Sequence, residues 1–310
     1  LSTPLMDVKR SKCVSVIKGA RREVIRNLFR DGIDIIPVTD EKEHVLAIAV
    51  AGAGGFFIGD RRVGDDCPAL VIAEIGNNHQ GDLDLAKRLV DLAAESGADS
   101  AKFQMRDMAT LYGNSNVRSG SFDLGLEYTL DLLAKYQLGE DELFEVLEYT
   151  KSAGLIPLCT PWDKVSAKKL SDWGVSAFKI ASADLTNIEL LEYVADQNIP
   201  LICSTGMSVD SEISAAVDLL KSSYGGFSLL HCNSTYPAPY SDINLKYLQR
   251  LKSYQPDAVG YSGHEAGWSV PVAAVALGAN IIEKHFTVDK SFEGHDHKVS
   301  LLPDEFKSMV

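Results

Sequence analysis

The sequence predicts an α/β fold: a (β/α)8 TIM barrel preceded by a small α+β segment. From Leu70 onward, eight apolar strand candidates alternate with amphipathic helix patterns, the arrangement of a parallel sheet wrapped by helices. Nearly every strand candidate ends in a charged or hydrogen-bonding residue; a sheet built only for packing does not need this, whereas the catalytic face of a barrel does. The 310 residues leave room for one barrel of ~250 residues and an appendage, but not for two large domains.

Ahead of the barrel, Arg21 to Phe29 reads as a short amphipathic helix with Val24, Ile25 and Leu28 inward, stopped by Asp31-Gly32. Ile35 to Val38 and Val45 to Ala49 flank the polar turn Asp40 to Glu43 as a strand pair. With the lead-in Cys13 to Ile17 this gives a β-α-β-β order. The Gly-rich Ala51 to Gly55 reads as a linker, lacking both the Lys-Ser/Thr ending of a phosphate loop and a dinucleotide-binding spacing. The chain is therefore divided into a segment 1–55 and a barrel 56–310.

The expected barrel strands are Leu70 to Ile75, Ser100 to Gln104, Leu155 to Cys159, Ala177 to Ala181, Pro200 to Ser204, Ser228 to Cys232, Ala258 to Ser262 and Asn280 to Phe286. Helical patterns lie between them, from Leu85 to Ser96 through to Val270 to Leu277, and Gly97, Gly154, Gly174 and Gly278 sit just past helix ends, where a left-handed cap is wanted. The longest insertion, Arg106 to Gly139, follows the second strand and reads as a substrate-covering loop with its own short helix.

Composition narrows the function. A hydrophobic fraction of 45% with 24% charged residues is that of an ordinary globular protein. No apolar run approaches the ~20 residues of a bilayer span, and Leu1 to Lys18 lacks a signal-peptide core. Five scattered cysteines with no Cys-x-x-Cys pair argue against a disulfide framework or structural zinc and for a reducing cytoplasm. Cys159, Cys203 and Cys232 read as small packing residues. A net charge of -13 disfavours a nucleic-acid partner, and no membrane partner is expected.

The strand tips carry the chemistry. They present Glu74, Asn77, Asn78 and His79; Lys102 and Gln104; Thr160; Lys179, Ser182 and Asp184; Ser204; His231, Ser234 and Tyr236; Ser262 and His264; and Glu283 and His285, followed by Asp296. Lys102 and Lys179 among hydroxyls suit a phosphate and a carboxylate, because each ammonium is a point charge with three donors. His264 and His285 end neighbouring strands, so they read either as core histidines or as ligands of a divalent metal. Glu283 and His285 share a face by alternation, which turns Lys284 towards the helical layer. His231 reads equally well as a satisfied core histidine.

Seven stretches in order, Ala73-Glu74-Ile75-Gly76-Asn77-Asn78-His79-Gln80-Gly81, Lys102-Phe103-Gln104, Thr160-Pro161-Trp162, Lys179-Ile180-Ala181-Ser182, Ser204-Thr205-Gly206-Met207, His231 to Pro237 and Glu283-Lys284-His285-Phe286-Thr287, resemble the sialic acid synthase (NeuB) family. The resemblance implies a phosphoenolpyruvate-dependent transferase making a nine-carbon 2-keto sugar acid of the neuraminate, legionaminate or pseudaminate type from an N-acylated hexosamine such as N-acetylmannosamine. It further implies that Lys102, Thr160, Lys179, Ser182 and Ser204 hold phosphoenolpyruvate, that Gln104, Tyr236 and Asp296 contact the amino sugar, and that His264 and His285 bind Mn2+, with Mg2+ or Co2+ as alternatives. Glu74, Asn78, Ser234 and Ser262 join the substrate-binding set, and Lys102, Lys179, His264, His285 and Asp184 are the catalytic group. Asp184 stands where members have a catalytic Glu, one methylene shorter, and Ser234 where some have Asn.

A homodimer is implied as well, together with a C-terminal antifreeze-like domain that this chain does not contain. The segment 1–55 more weakly resembles a single CBS motif, which leaves a packing appendage and a nucleotide sensor both open. The rival readings of the whole chain are a Schiff-base aldolase or lyase with Lys179 as nucleophile, and a catalytically inactive regulatory barrel.

Overall fold

The computed structural model describes residues 14–18, 20, 24, 25, 28, 33, 35–50, 56–112, 133–223, 225–294 and 296–310. Cys13, most of the expected helix 21–29, the linker 51–55, the greater part of the insertion after the second strand, and His295 lie outside the described residues. By contacts the chain divides into Leu1–Gly54 and Gly55–Val310.

In the first unit, β1 (Val16–Ile17) runs parallel to β2 (Ile35–Thr39), which pairs antiparallel with β3 (Val45–Val50). The expected polar turn closes on Asp40, whose side chain accepts from the backbone N–H groups of Lys42 and His44 at 2.8 Å each. Asp and Asn favour such turns because they can satisfy the local backbone themselves.

The second unit opens with a hairpin of β4 (Phe56–Ile58) and β5 (Arg61–Val63), turned at Gly59-Asp60 with Gly59 at φ 58°. Eight parallel strands then close a barrel: β6 (Leu70–Gly76), β7 (Ser100–Met105), β8 (Ile156–Pro161), β9 (Phe178–Ile180), β10 (Leu201–Ser204), β11 (Phe227–Cys232), β12 (Ala258–Gly263) and β13 (Ile281–His285). β13 returns to β6 with Lys284 opposite Ala73. The helices also fall where the sequence predicts them. Asp82 and Asp163 cap two of them by accepting from the N–H of Leu85 at 2.9 Å and of Ser166 at 2.8 Å. Gly97, Gly154, Gly174 and Gly278 all have φ between 81° and 91°, a conformation that costs a side-chain-bearing residue energy.

Alternation along the strands sorts the side chains into two layers. Ala73, Ile75, Ala101, Phe103, Cys159, Phe178, Ile180 and Cys203 face the helices and share one core with Leu89, Val90, Val146, Leu147, Leu190 and Leu191. The opposite parity faces the barrel axis. Its N-terminal ring of Leu70, Ile72, Leu158, Ala177, Ile202, Leu230, Ala258 and Ile281 packs against Phe56, Ile58 and Val63 of the hairpin, which plug that end. Two residues beyond this ring on β6, β8, β9, β10 and β13, and at the same level on β7, the axial positions become Glu74, Thr160, Lys179, Ser204 and Glu283, and Lys102, all buried. The plug therefore seals the floor beneath a polar mouth.

Ile58 is fully buried in that floor. Ile58→Ala is expected to destabilise the barrel by ~2–5 kcal/mol, the range for truncating a buried Ile. A shift in the urea midpoint of the second unit is the measurement, and a midpoint within error of the parent would show that the plug is dispensable.

Candidate active site

The polar mouth is a cavity of about 350 Å³ lined by Glu74, Asn78, Lys102, Gln104, Thr160, Lys179, Ser182, Ser204, Ser234, Tyr236, Ser262, His264, His285 and Asp296. These are all of the expected site residues except Asp184, which lies in the 3-10 turn Ser182–Asp184 just beyond β9, next to the cavity-lining Ala183. Asp184 Oδ1 accepts from Asn187 Nδ2 at 3.2 Å, while Oδ2 is buried without a hydrogen-bond partner among the described residues. Burial raises the Asp184 pKa above the ordinary carboxylate value.

Four charged side chains form the base of the cavity. Lys102 Nζ lies 2.8 Å from Glu283 Oε2 and 3.2 Å from Glu74 Oε2. Lys179 Nζ lies 3.7 Å from Glu283 Oε1, donates to Ser204 Oγ at 2.7 Å and to the Ile180 carbonyl at 3.1 Å. Ser262 Oγ adds a hydrogen bond to Glu283 Oε1 at 2.9 Å. The lysines are thus not isolated cations, as an anion site drawn from sequence alone would have them.

Electrostatics separates the two carboxyls. Burial raises the Glu74 pKa, and the nearby charge of Glu283 adds to that, against the pull of Lys102. Burial acts on Glu283 too, but Lys102, Lys179 and Ser262 outweigh it and hold its pKa low. The difference follows from partner number: Glu283 has two ammonium groups and Glu74 shares one. A proton on Glu74 leaves the cluster with two lysines against one carboxylate. Lys102, flanked by both acids, has its pKa raised despite burial, whereas burial wins at Lys179 and lowers it.

Above this base, Gln104 Nε2 donates to Glu74 Oε1 at 2.9 Å and Arg106 donates to Gln104 Oε1 at 2.6 Å, with the Arg106 guanidinium 4.3 Å from the Trp162 ring centroid. These contacts fix which end of the amide faces which neighbour. Glu283 stands among the strand-tip residues but receives no role from the sequence, and Arg106 is not among them. Both carried a signal: Glu283 shares the inward parity of His285, and Arg106 continues the alternation of Lys102 and Gln104.

Other expectations sort by contact. Asn78 lines the cavity, but its amide is spent on the Phe286 carbonyl at 2.9 Å and Ser300 Oγ at 3.0 Å, so it braces the mouth. His231 bonds through Nε2 to the Ile243 carbonyl and packs on Tyr247 and Tyr261 as a satisfied core histidine. Lys284 faces away from the cavity, as alternation predicts. Cys159, Cys203 and Cys232 are buried, and desolvation raises their thiol pKa values, Cys203 to about 12, so none is poised as a thiolate.

Residues 89–310 match the NeuB family. The chain belongs to that family. A NeuB relative from Legionella pneumophila named N,N'-diacetyllegionaminic acid synthase is 41% identical over 258 residues, covering 80% of this chain and 72% of its own length. The human N-acetylneuraminate-9-phosphate synthase is 35% identical over 254 residues, covering 81% and 70%. The crystal structure of an N-acetylneuraminic acid synthetase from Leptospira borgpetersenii in complex with citrate superposes with a TM-score of 0.74 at 37% identity, covering 82% of this chain and 85% of that one.

NeuB membership directs attention to a divalent metal at His264 and His285, and the two side chains fit one. His264 Nδ1 is 2.6 Å from the Asn233 carbonyl, which can only accept, so Nδ1 carries the proton and Nε2 keeps its lone pair, 2.8 Å from the Tyr236 hydroxyl. His285 Nδ1 is buried without a hydrogen-bond partner among the described residues, with Asp296 Oδ2 3.9 Å away. The rings are 5.4 Å apart. Burial holds both imidazoles neutral, with His264, also beside His285, at about 4, and His285, also facing Lys102, at about 3. A neutral imidazole is the form that ligates. Among the described residues no group of three or more His, Cys, Asp or Glu side chains is gathered as a metal cage, so these two imidazoles are the ligands the chain itself would offer.

These shifts carry a stability consequence. Burial also holds His79, whose Nδ1 accepts from the Gly81 N–H, at about 4. A histidine whose folded pKa lies below its ordinary value binds fewer protons folded than unfolded, so it destabilises the fold as pH falls from about 6.5 towards 4, on the order of 3 kcal/mol each at the low end. Glu74 and Asp184, with pKa values raised by burial, work in the opposite direction but are outnumbered, because burial lowers His231 and His297 as well as His79, His264 and His285. Metal-free protein is therefore expected to lose urea resistance steeply between pH 6.5 and 4.5; a flat profile there would contradict the buried neutral imidazoles.

Proposed function

We propose that this chain condenses phosphoenolpyruvate with an open-chain N-acylated hexosamine, giving a nine-carbon 2-keto sugar acid and inorganic phosphate. The observation that carries the reading is the convergence of Lys102 and Lys179 on one carboxylate beneath two neutral histidines in a cavity with a sealed floor. An anionic substrate entering the mouth meets a cluster that one proton on Glu74 makes net positive. Ser204, Ser182 and Thr160 surround it with hydroxyls. Ser182 Oγ already accepts from the Gly206 N–H at 3.1 Å, which orients that hydroxyl.

In the reaction, C3 of phosphoenolpyruvate forms a bond to the aldehyde carbon of the sugar and positive character develops at C2. Water adds at C2 and the resulting tetrahedral adduct expels phosphate by C–O cleavage. A divalent metal held by His264 and His285 would supply Lewis-acid polarisation of the aldehyde oxygen. Asp184, its pKa raised by burial and Oδ2 unpartnered, is suited to hold a proton for the water or the sugar hydroxyl. Gln104, braced between Glu74 and Arg106, and the half-exposed Tyr236 would contact the amino sugar. The work belongs in the cytoplasm, where phosphoenolpyruvate is made, and the active assembly would be a homodimer.

Two variants test the reading. His264→Ala is expected to abolish phosphate release from phosphoenolpyruvate and N-acetylmannosamine while the far-UV circular dichroism stays native; full activity there, or in excess EDTA, overturns the metal assignment. Lys179→Met is the cleaner probe of the anion site, because Glu283 keeps Lys102 as partner, whereas Lys102→Met would leave the buried Glu74 without its ammonium partner. It is expected to weaken phosphoenolpyruvate binding by ~2–4 kcal/mol, and unchanged affinity by calorimetry refutes the site. The lowered Lys179 pKa is the one feature favouring a Schiff-base lyase; covalent trapping of pyruvate on Lys179 by borohydride would decide for that rival.

A further inference from the structure

We infer that a buried ion pair outside the cavity, Lys284 with Glu265, is a positioning device for the metal-binding histidines; this rests on the metal reading of His264 and His285 above. Both side chains are fully buried. Lys284 Nζ lies 2.9 Å from Glu265 Oε1 and also donates to the Glu265 backbone carbonyl. The other carboxylate oxygen, Oε2, accepts from the Tyr261 hydroxyl at 2.6 Å. None of the three side chains lines the cavity.

Their places in the chain give the pair its leverage. On β13 the side chains alternate, so Glu283 and His285 point into the mouth and Lys284 points out between them. Glu265 directly follows His264, just beyond the end of β12. The pair therefore ties the residue between two cavity groups on one strand to the residue next to the partner histidine on the neighbouring strand. Gly263 stands opposite Lys284 in the register. A Cβ at Gly263 would sit 2.7 Å from Glu265 Oε2 and 2.7 Å from Tyr261 Cε1, so the backbone there is shaped to admit the carboxylate.

A buried ion pair is a weak source of stability, since taking both charges out of water is costly and apolar residues of similar size often do as well. What it supplies is directionality. Two donors to one carboxylate, plus a bond to the backbone oxygen of the same residue, fix the rotation of the chain immediately after His264. The hydrogen bond from Ala238 N–H to the His264 carbonyl, at 3.0 Å, fixes it from the other side. The separation of the two imidazoles is the quantity so determined, and metal affinity depends on it. Losses of supporting contacts around ligating histidines typically weaken metal binding by about 10- to 100-fold.

The test measures Mn2+ binding by calorimetry beside thermal stability. Lys284→Met alone leaves Glu265 charged, buried and unpaired, so it confounds folding with positioning. The double variant Lys284→Met with Glu265→Gln removes both charges at similar volume. It is expected to melt close to the parent and to bind Mn2+ roughly 10- to 100-fold more weakly. Parent-like affinity in a stable double variant overturns the inference and makes the pair merely structural. Should the double variant fail to fold, Tyr261→Phe keeps both charges and the ring and removes only the bond to Oε2. Measurably weaker Mn2+ binding with an unchanged melting temperature then supports the inference, and unchanged binding overturns it. Absence of Mn2+ binding by the parent chain itself would sink the metal reading and this inference with it. Normal parent binding with unaffected variants sinks the inference alone.

Discussion

Four ionisable side chains are held out of water at the centre of the barrel, and the mouth can exist only because they compensate one another. An unpaired charge in that position would be far too costly to keep. Glu283 resolves the problem by facing both lysines and Ser262 at once, while Glu74 takes the second position on Lys102. The four residues come from β6, β7, β9 and β13, so the compensation also cross-links strands that are not neighbours around the ring. With a proton on Glu74, this arrangement lets a chain with net charge -13 present two ammonium groups against one carboxylate at its mouth. The global charge governs solubility and long-range steering, and it says little about a desolvated cluster a few ångströms across.

Much of the fold was legible because it rests on short-range rules. Period two along the strands, a 3.6-residue period between them, and glycine wherever a helix end must turn left-handed are all local, and Gly97, Gly154, Gly174 and Gly278 obey them. The same alternation told which side of β13 carries Glu283 and His285 and which carries Lys284. What alternation does not tell is depth or distance around the ring. That Glu283 lies within reach of both Lys102 and Lys179 follows from barrel closure and register, which no single strand encodes. Asp184 shows a further limit: it sits on a 3-10 turn, where parity has no meaning. The hairpin Phe56 to Val63 was missed because its strands are three residues long, interrupted by the exposed Phe57 and by two arginines. The Gly59-Asp60 turn was the available signal.

The pairing of an apolar floor with a charged mouth explains why a single parity can serve two purposes. Along five of the strands the axial side chain changes character over a step of two residues, from Ile72 to Glu74, from Leu158 to Thr160, from Ala177 to Lys179, from Ile202 to Ser204 and from Ile281 to Glu283. Lower positions bury hydrocarbon and stabilise closure, and upper positions carry chemistry. Mutations one step apart on the same face therefore have different consequences, for stability below and for function above.

The hairpin plug also governs traffic. With Phe56, Ile58 and Val63 packed across the N-terminal end, the barrel is a blind-ended well rather than a channel, and whatever reaches the charged base must pass the rim where His264, Tyr236 and Asp296 stand. A molecule seated at the base cannot leave while another occupies the rim. In such a vessel the queue is set by geometry: the deepest guest arrives first and departs last, and a product spanning both levels must clear the rim as one piece.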